Sequence, residues 1–130
     1  MIVASAVIVT ALLFGGMTLY SFGFAAFLFT ALPADMAGTT LRRAFGHFYA
    51  FVIAAAALAA LLWWPSHKEF AIVMAAVALS TIPVRQILMP AINRATDAKQ
   101  RKRFNWLHGA SVLITLIHIG AAGWLLVQLV

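Results

Sequence analysis

The chain has no cysteine and only three acidic residues, and charged residues of either sign make up 9% of its 130 positions. Without thiols it has no disulfides, no thiolate metal ligands and no cysteine nucleophile. Asp35, Glu69 and Asp97 all lie in polar connections between apolar runs, which excludes paired-carboxylate chemistry inside an apolar span. No Walker loop, dinucleotide fingerprint, nucleophile elbow or zincin motif is present. We therefore expect a protein that is not an enzyme.

Hydrophobic residues make up 65% of the chain, and the mean hydropathy is +1.01. A soluble domain does not carry this composition, and a bilayer-spanning helix needs roughly 20 apolar residues. The predicted fold class is all-α, a bundle of four transmembrane helices in up-down-up-down order, forming a single domain over residues 1–130. The predicted spans are 2–32, 41–64, 70–92 and 104–130. The first run has no basic segment before it and exceeds a signal peptide's apolar core, so we expect a retained helix.

Basic residues are concentrated in the first and third connections. Arg42 and Arg43 flank the first connection, whereas the second has only Lys68 next to Glu69. The third connection contains Arg94, Lys99, Arg101, Lys102 and Arg103. The positive-inside rule predicts that the first and third connections are cytoplasmic and that both termini lie outside the inner (plasma) membrane. Lys99, Arg101, Lys102 and Arg103 are also a candidate contact for anionic lipid headgroups. Nucleic acid is not an expected partner, and a homo-oligomer is left open.

Four polar residues interrupt the fourth span: His108, Ser111, Thr115 and His118. At about 100° per residue, they fall on one face of a helix. Ionisable groups within a membrane span are costly and usually face the bundle interior, where they mark functional sites. The alternative for Ser111 and Thr115 is a hydroxyl bonded to the helix's own backbone.

Two further residues lie at a similar depth from the surface with the basic connections. His47 is near the start of the second span, and we expect it to point inward and face His108; Arg85 is near the end of the third span. Pro83 is predicted to loosen the helix next to Arg85. The candidate metal or haem ligands are His108, His47 and His118, and the candidate lining residues are Ser111, Thr115 and Arg85. The candidate cofactors are haem b and copper. Interfacial histidines and an arginine that reaches the headgroups are the simpler alternatives.

Several short segments occur in an order and spacing that resemble a known family. They are Gly15-Gly16, Phe29-Thr30-Ala31-Leu32-Pro33, Ala37-Gly38, Arg43, Phe45, Phe48-Tyr49, Pro90, Asp97 and the run from Phe104 to Ser111. Together they resemble the transmembrane-protein-205-like family, a four-helix membrane domain of unknown function 4149. The resemblance implies the same four-helix fold.

The resemblance also implies which positions to compare. His108 and Ser111 carry over directly from the family's pattern. The chain departs from it at Gly46, where the family usually has proline, and at Thr115, where it usually has asparagine; the latter change weakens an amide-dependent ligand role. The family is distantly similar to copper-resistance-D-like membrane proteins and to a haem-dependent protoporphyrinogen oxidase, which also place histidines in helical bundles. A shared fold does not by itself give a shared function.

Three functions remain open on the sequence. The first is a membrane protein that binds a metal ion or a haem at histidines inside the bundle, and we favour it. The second is a small oligomeric carrier or channel whose pathway is lined by the polar face of the fourth span. The third is a non-catalytic membrane partner subunit whose polar residues serve helix association.

Overall fold

The computed structural model describes residues 1–130 as four long helices with no β-strand. The helices are α1 (Ile2–Ala31), α2 (Ala34–Trp63), α3 (Lys68–Asp97) and α4 (Arg101–Val127). Each is long and apolar enough to cross a membrane. The prediction of an all-α, four-helix fold is confirmed, and the chain is a multi-pass membrane protein.

The helices extend beyond most of the apolar spans that the sequence predicts. A helix of 30 residues is about 45 Å long, whereas the hydrocarbon core of a bilayer is about 30 Å thick. Thus α2 begins at Ala34 rather than at residue 41, and α3 continues past residue 92 to Asp97. Hydropathy marks only the part of a helix that lies in lipid, while the backbone hydrogen bonds continue through polar turns at the membrane surface. In contrast, α4 ends at Val127, before the predicted end of the fourth span at residue 130.

The connections are short, and local backbone chemistry explains their geometry. Leu32 is extended, with φ −126° and ψ 153°, because a following proline disfavours the helical conformation. Lys99 has a φ of 53°, which ends α3 in a left-handed residue. The Gln100 N–H then donates to the Ala95 carbonyl at 2.9 Å, as in a helix-terminating Schellman turn. Such tight reversals make consecutive helices antiparallel.

Helix α1 packs against α2 and α4, and α3 packs against the same two helices. Helices α2 and α4 are therefore diagonal across the bundle, as in an up-down-up-down arrangement. Small residues allow close approach of the helices in lipid: Ala55, Ala56 and Ala59 of α2 are buried. Gly16 of α1 lies under the ring of Phe51, so that a Cβ there would be 2.8 Å from Phe51 Cε1. We call the end with the α1–α2 and α3–α4 connections the basic end.

Polar bonds between α1, α2 and α3 lie at different depths in the bundle. Away from the basic end, the Trp63 Nε1–H donates to Thr10 Oγ1 at 3.0 Å, and both side chains are fully buried. Nearer the basic end, the Tyr20 hydroxyl donates to the Ala44 carbonyl at 3.0 Å. At the basic end, the Arg42 guanidinium binds both carboxylate oxygens of Asp97, at 2.9 and 3.3 Å. These bonds fix how far α1 and α3 are displaced along α2.

We predict that Thr10→Val destabilises the bundle by about 1–2 kcal/mol, because it leaves the buried Trp63 N–H without an acceptor. Trp63→Phe should also destabilise it through lost volume and the lost bond. The measurement is thermal unfolding of the purified protein in detergent. Trp64→Phe is the matched control, since Trp64 is 57% exposed and should shift the midpoint little. Equal midpoints for Thr10→Val and the wild type would contradict the prediction.

Candidate functional site

A small cavity lies in the core between all four helices. Its volume is about 10 Å³, close to the space that one water molecule requires. Five lining residues carry a polar atom or a thioether, namely Met17, Tyr49, Thr81, Thr115 and His118, and the other four are Phe48, Val52, Val84 and Ile114. We call this the central cavity.

The central cavity lies halfway along the bundle. Met17, Tyr49 and Thr81 are each within about 3 Å of the middle of α1, α2 and α3 along the helix axis. Thr115 has the same position in α4. Polar groups at this depth have no headgroup or bulk water to satisfy them, so their partners must be in the protein or in the cavity.

His118 is the one basic side chain among the residues that line the cavity, and it is only 8% exposed. Its Nε2 lies 2.8 Å from Ser80 Oγ on α3. The Ser80 hydroxyl also lies 3.2 Å from the Val77 carbonyl, so its one hydrogen serves either that carbonyl or Nε2. In the first arrangement Nε2–H donates to Ser80 and Nδ1 keeps a lone pair; in the second the ring proton is on Nδ1.

The hydroxyl groups around His118 donate to carbonyls of their own helices. Thr81 donates to the Val77 carbonyl at 2.7 Å, and Thr115 donates to the Ser111 carbonyl at 2.9 Å. Ser111 in turn donates to the His108 carbonyl at 2.7 Å. The threonine oxygens keep lone pairs that can accept a bond from a small ligand in the cavity.

Helix α3, which lines one side of the cavity, is not a regular α-helix. Residues Val84–Leu88 form a π-helical segment directly after Pro83. Proline has no N–H, and its ring clashes with the carbonyl four residues earlier, which a wider turn relieves. The sequence prediction that Pro83 loosens α3 beside Arg85 agrees with this geometry. Within the segment, half-buried Arg85 donates from Nε to the Gly46 carbonyl of α2 at 3.3 Å.

The polar face of α4 points inward for three of its four residues. Ser111 and His118 are buried and Thr115 is half-buried, in line with buried Ala122 and Leu125. His108 is exposed, and its ring stacks on Phe104 with centroids 5.2 Å apart. The arc formed by these four residues is wider than the strip of α4 that contacts the core. His108, at one edge of the arc, therefore lies outside the core.

The predicted inward orientation of His47 is wrong. His47 is exposed, as are Ala50 and Ala54 on the same face. The core side of α2 is instead occupied by Phe48 and Tyr49, because these large rings bury more apolar area than a face of alanines. His47 and His108 are therefore exposed on two diagonal helices and do not face each other across the core.

A haem does not fit in the central cavity, which has room for about one water molecule. Nor do three or more histidine and acidic side chains come together as a metal site. Of the predicted site residues, the fold brings together His118, Thr115 and, one turn away, Ser111. Arg85 lies beside them on α3 but bonds to α2.

Sequence reasoning missed four contributors to this region: Met17, Tyr49, Ser80 and Thr81. One signal was available for Met17, which follows Ala6, Thr10 and Leu13 at the spacing of a single buried helix face. Ser80 and Thr81 are adjacent hydroxyls two residues before a proline inside an apolar run. That they meet His118 depends on how α3 and α4 pack, which a single sequence does not contain.

A family model described as a domain of unknown function, DUF4149, matches residues 8–101. The chain belongs to the DUF4149 family. The matched residues include the missed ones, from Met17 to Thr81, as well as Arg85, whereas the polar face of α4 lies beyond them. No curated protein and no solved structure matches the chain.

We predict that Ser80 and His118 are energetically coupled. A double-mutant cycle of Ser80→Ala and His118→Ala should give a coupling energy of about 0.6 kcal/mol, and at most about 1.7, the range of hydrogen bonds between membrane helices. Unfolding in detergent provides the free energies of unfolding. A matched cycle of Ser66→Ala and His118→Ala should give no coupling, since Ser66 lies in the α2–α3 connection. Additive effects in the first cycle would show that the bond contributes nothing.

Proposed function

We propose that this member of the DUF4149 family is a non-enzymatic membrane protein that binds one small ligand in the central cavity, with His118 as the principal donor. The observation that supports this most is a buried histidine that borders a cavity in the middle of the bundle and is held by a bond at one ring nitrogen. The proposal requires the tautomer with the proton on Nε2, which leaves the Nδ1 lone pair for a ligand. A buried imidazole whose second nitrogen orients the ring by a hydrogen bond is a common arrangement of metal-binding histidines.

The ligand class is narrowed by the residues that share the cavity with His118. Met17 contributes a thioether, and Thr81 and Thr115 contribute neutral oxygens. Imidazole with thioether and no carboxylate is a donor set that suits copper(I) better than a hard cation. A single small monovalent ion also agrees with the size of the cavity, whereas haem b does not. We also propose that the chain is related to the transmembrane-protein-205-like proteins and, distantly, to the copper-resistance-D-like proteins.

We predict that the purified protein binds one copper(I) ion per chain in an anaerobic titration against a competing chelator. His118→Ala should abolish this binding because it removes the imidazole donor. Met17→Leu should weaken it by about tenfold or more, since the thioether is lost with little change in volume.

Two variants serve as matched controls for this titration. Met74→Leu changes another fully buried methionine, which does not line the cavity, and His67→Ala removes a histidine at the α2–α3 connection. Both should bind like the wild type. If the wild type binds no copper(I), or if His118→Ala binds as well as the wild type, the proposal of a metal site at His118 is wrong.

The second candidate function is a membrane partner subunit or a homo-oligomeric carrier. It is favoured by His47 and His108, which are exposed on the outside of the bundle within the predicted apolar spans. Imidazoles at such positions are costly against lipid and favourable against another polar protein surface. A metal or haem held by these two histidines would then lie between chains rather than within one.

For the orientation in the membrane, we propose that the basic end is cytoplasmic and that both termini are outside, in the inner or plasma membrane. The support is the charge: the basic end carries Arg42 and Arg43, and the opposite connection has only Lys68 beside Glu69. The exposed side chains at the start of α4 and just before it are proposed to contact anionic lipid headgroups. These are Lys99, Arg101, Lys102 and Arg103.

The orientation can be tested with single cysteines, because the chain has none of its own. We predict that Ser66→Cys, in the α2–α3 connection, reacts with a membrane-impermeant maleimide on intact cells. Ala98→Cys, in the α3–α4 connection, should react only after permeabilisation. Permeabilised cells are the control for both thiols. The reverse pattern on intact cells would show that the basic end is outside.

A further inference from the structure

Arg85 is a charged side chain without a charged partner. The acidic residues are Asp35, Glu69 and Asp97, and the only carboxylate that binds an arginine is Asp97, which is bound by Arg42. The one hydrogen bond that Arg85 makes runs from Nε to the Gly46 carbonyl. A guanidinium has five N–H donors, so four of them, on the two terminal nitrogens, make no bond to the protein.

The position of Arg85 makes this unusual. It precedes Ile92, the end of the apolar part of α3, by seven residues, which places its Cα about 10 Å below the membrane surface at the basic end. An arginine at such a depth is costly unless its charge is compensated or reaches the headgroups. The bond to Gly46 limits that reach, because it ties the inner part of the guanidinium group to α2.

Arg85 and the basic end lie along the same pair of packed helices, α2 and α3. Arg42 lies one helical turn before Gly46 on α2, toward that end, and binds Asp97 of α3. Because Arg42 and Asp97 neutralise each other, the net charge of these three residues resides on Arg85. The terminal nitrogens of Arg85 thus form a planar pair of donors with an uncompensated charge, which is the geometry that binds two oxygens of one phosphate.

We infer that Arg85 binds a phosphate group beside the contact between α2 and α3, supplied by the headgroup of an anionic phospholipid at the basic end. Phosphate is the anion that is present at the surface of every phospholipid bilayer, and its two free oxygens match the guanidinium donors. The bond to Gly46 orients the guanidinium, and the π-helical turn after Pro83 sets the direction in which Arg85 leaves α3. This site is separate from the central cavity and does not depend on a ligand there.

The test is a titration of the purified protein, in micelles of an uncharged detergent, with short-chain phosphatidylglycerol and, separately, with inorganic phosphate. Binding is followed by native mass spectrometry. We expect saturable binding of one phosphatidylglycerol to the wild type and an affinity at least about tenfold lower for Arg85→Gln, since a charged hydrogen-bonded pair is lost. Arg43→Gln is the matched control, because it removes the same charge from an exposed position on α2 and should retain the affinity.

Arg85→Lys keeps the charge but cannot bond Gly46 and two phosphate oxygens at once, so it should also lose affinity. This variant replaces Arg85→Gln in the titration if Arg85→Gln does not fold. Saturable binding of inorganic phosphate that depends on Arg85 would support the phosphate site and identify the free ion as a second source. Equal lipid affinities for the wild type and a folded Arg85 variant, or equal losses in Arg85→Gln and Arg43→Gln, would overturn the inference.

Discussion

The absence of water in the bilayer core is the constraint on which the rest of this structure depends. Every backbone polar group within the hydrocarbon must be satisfied inside the protein, and an unpaired polar side chain there is costly. Most hydroxyls are paired at no cost to helix packing, by donating to a carbonyl of their own helix three or four residues earlier: Thr10, Thr18, Thr81, Ser111 and Thr115. Because these donors are already used, only a few polar bonds are left to join one helix to another.

The bonds between helices are therefore specific as well as scarce. Thr10 shows how: its hydrogen goes to the Ala6 carbonyl, and its lone pair accepts from Trp63. Ser80 lies within bonding distance of both the Val77 carbonyl, at 3.2 Å, and His118 Nε2, at 2.8 Å. In both pairs a hydroxyl of one helix bonds a ring nitrogen of another. In a bundle whose remaining core contacts are aromatic and aliphatic side chains, such pairs select the register of the helices.

The sequence was sufficient for the fold because the membrane leaves few alternatives. Apolar runs of the required length, separated by short connections, specify four helices and their order. The sequence was less informative about which face of each helix points inward. The face of α2 with His47 was predicted to be internal because its alanines resemble a packing stripe. Phe48 and Tyr49 bury more surface and occupy the core instead. The inward face of α4 was predicted for Ser111, Thr115 and His118. The meeting of Met17 with His118 was not, because it depends on two helices from opposite ends of the chain.

Pro83 lies between the two sites that we propose. On one side of α3, Thr81 and Val84 line the central cavity; on the next face, Arg85 turns toward α2 and bonds Gly46. A regular α-helix through this region would rotate the residues after Pro83 relative to those before it. The π-helical turn thus sets the angle between the cavity-lining residues and Arg85.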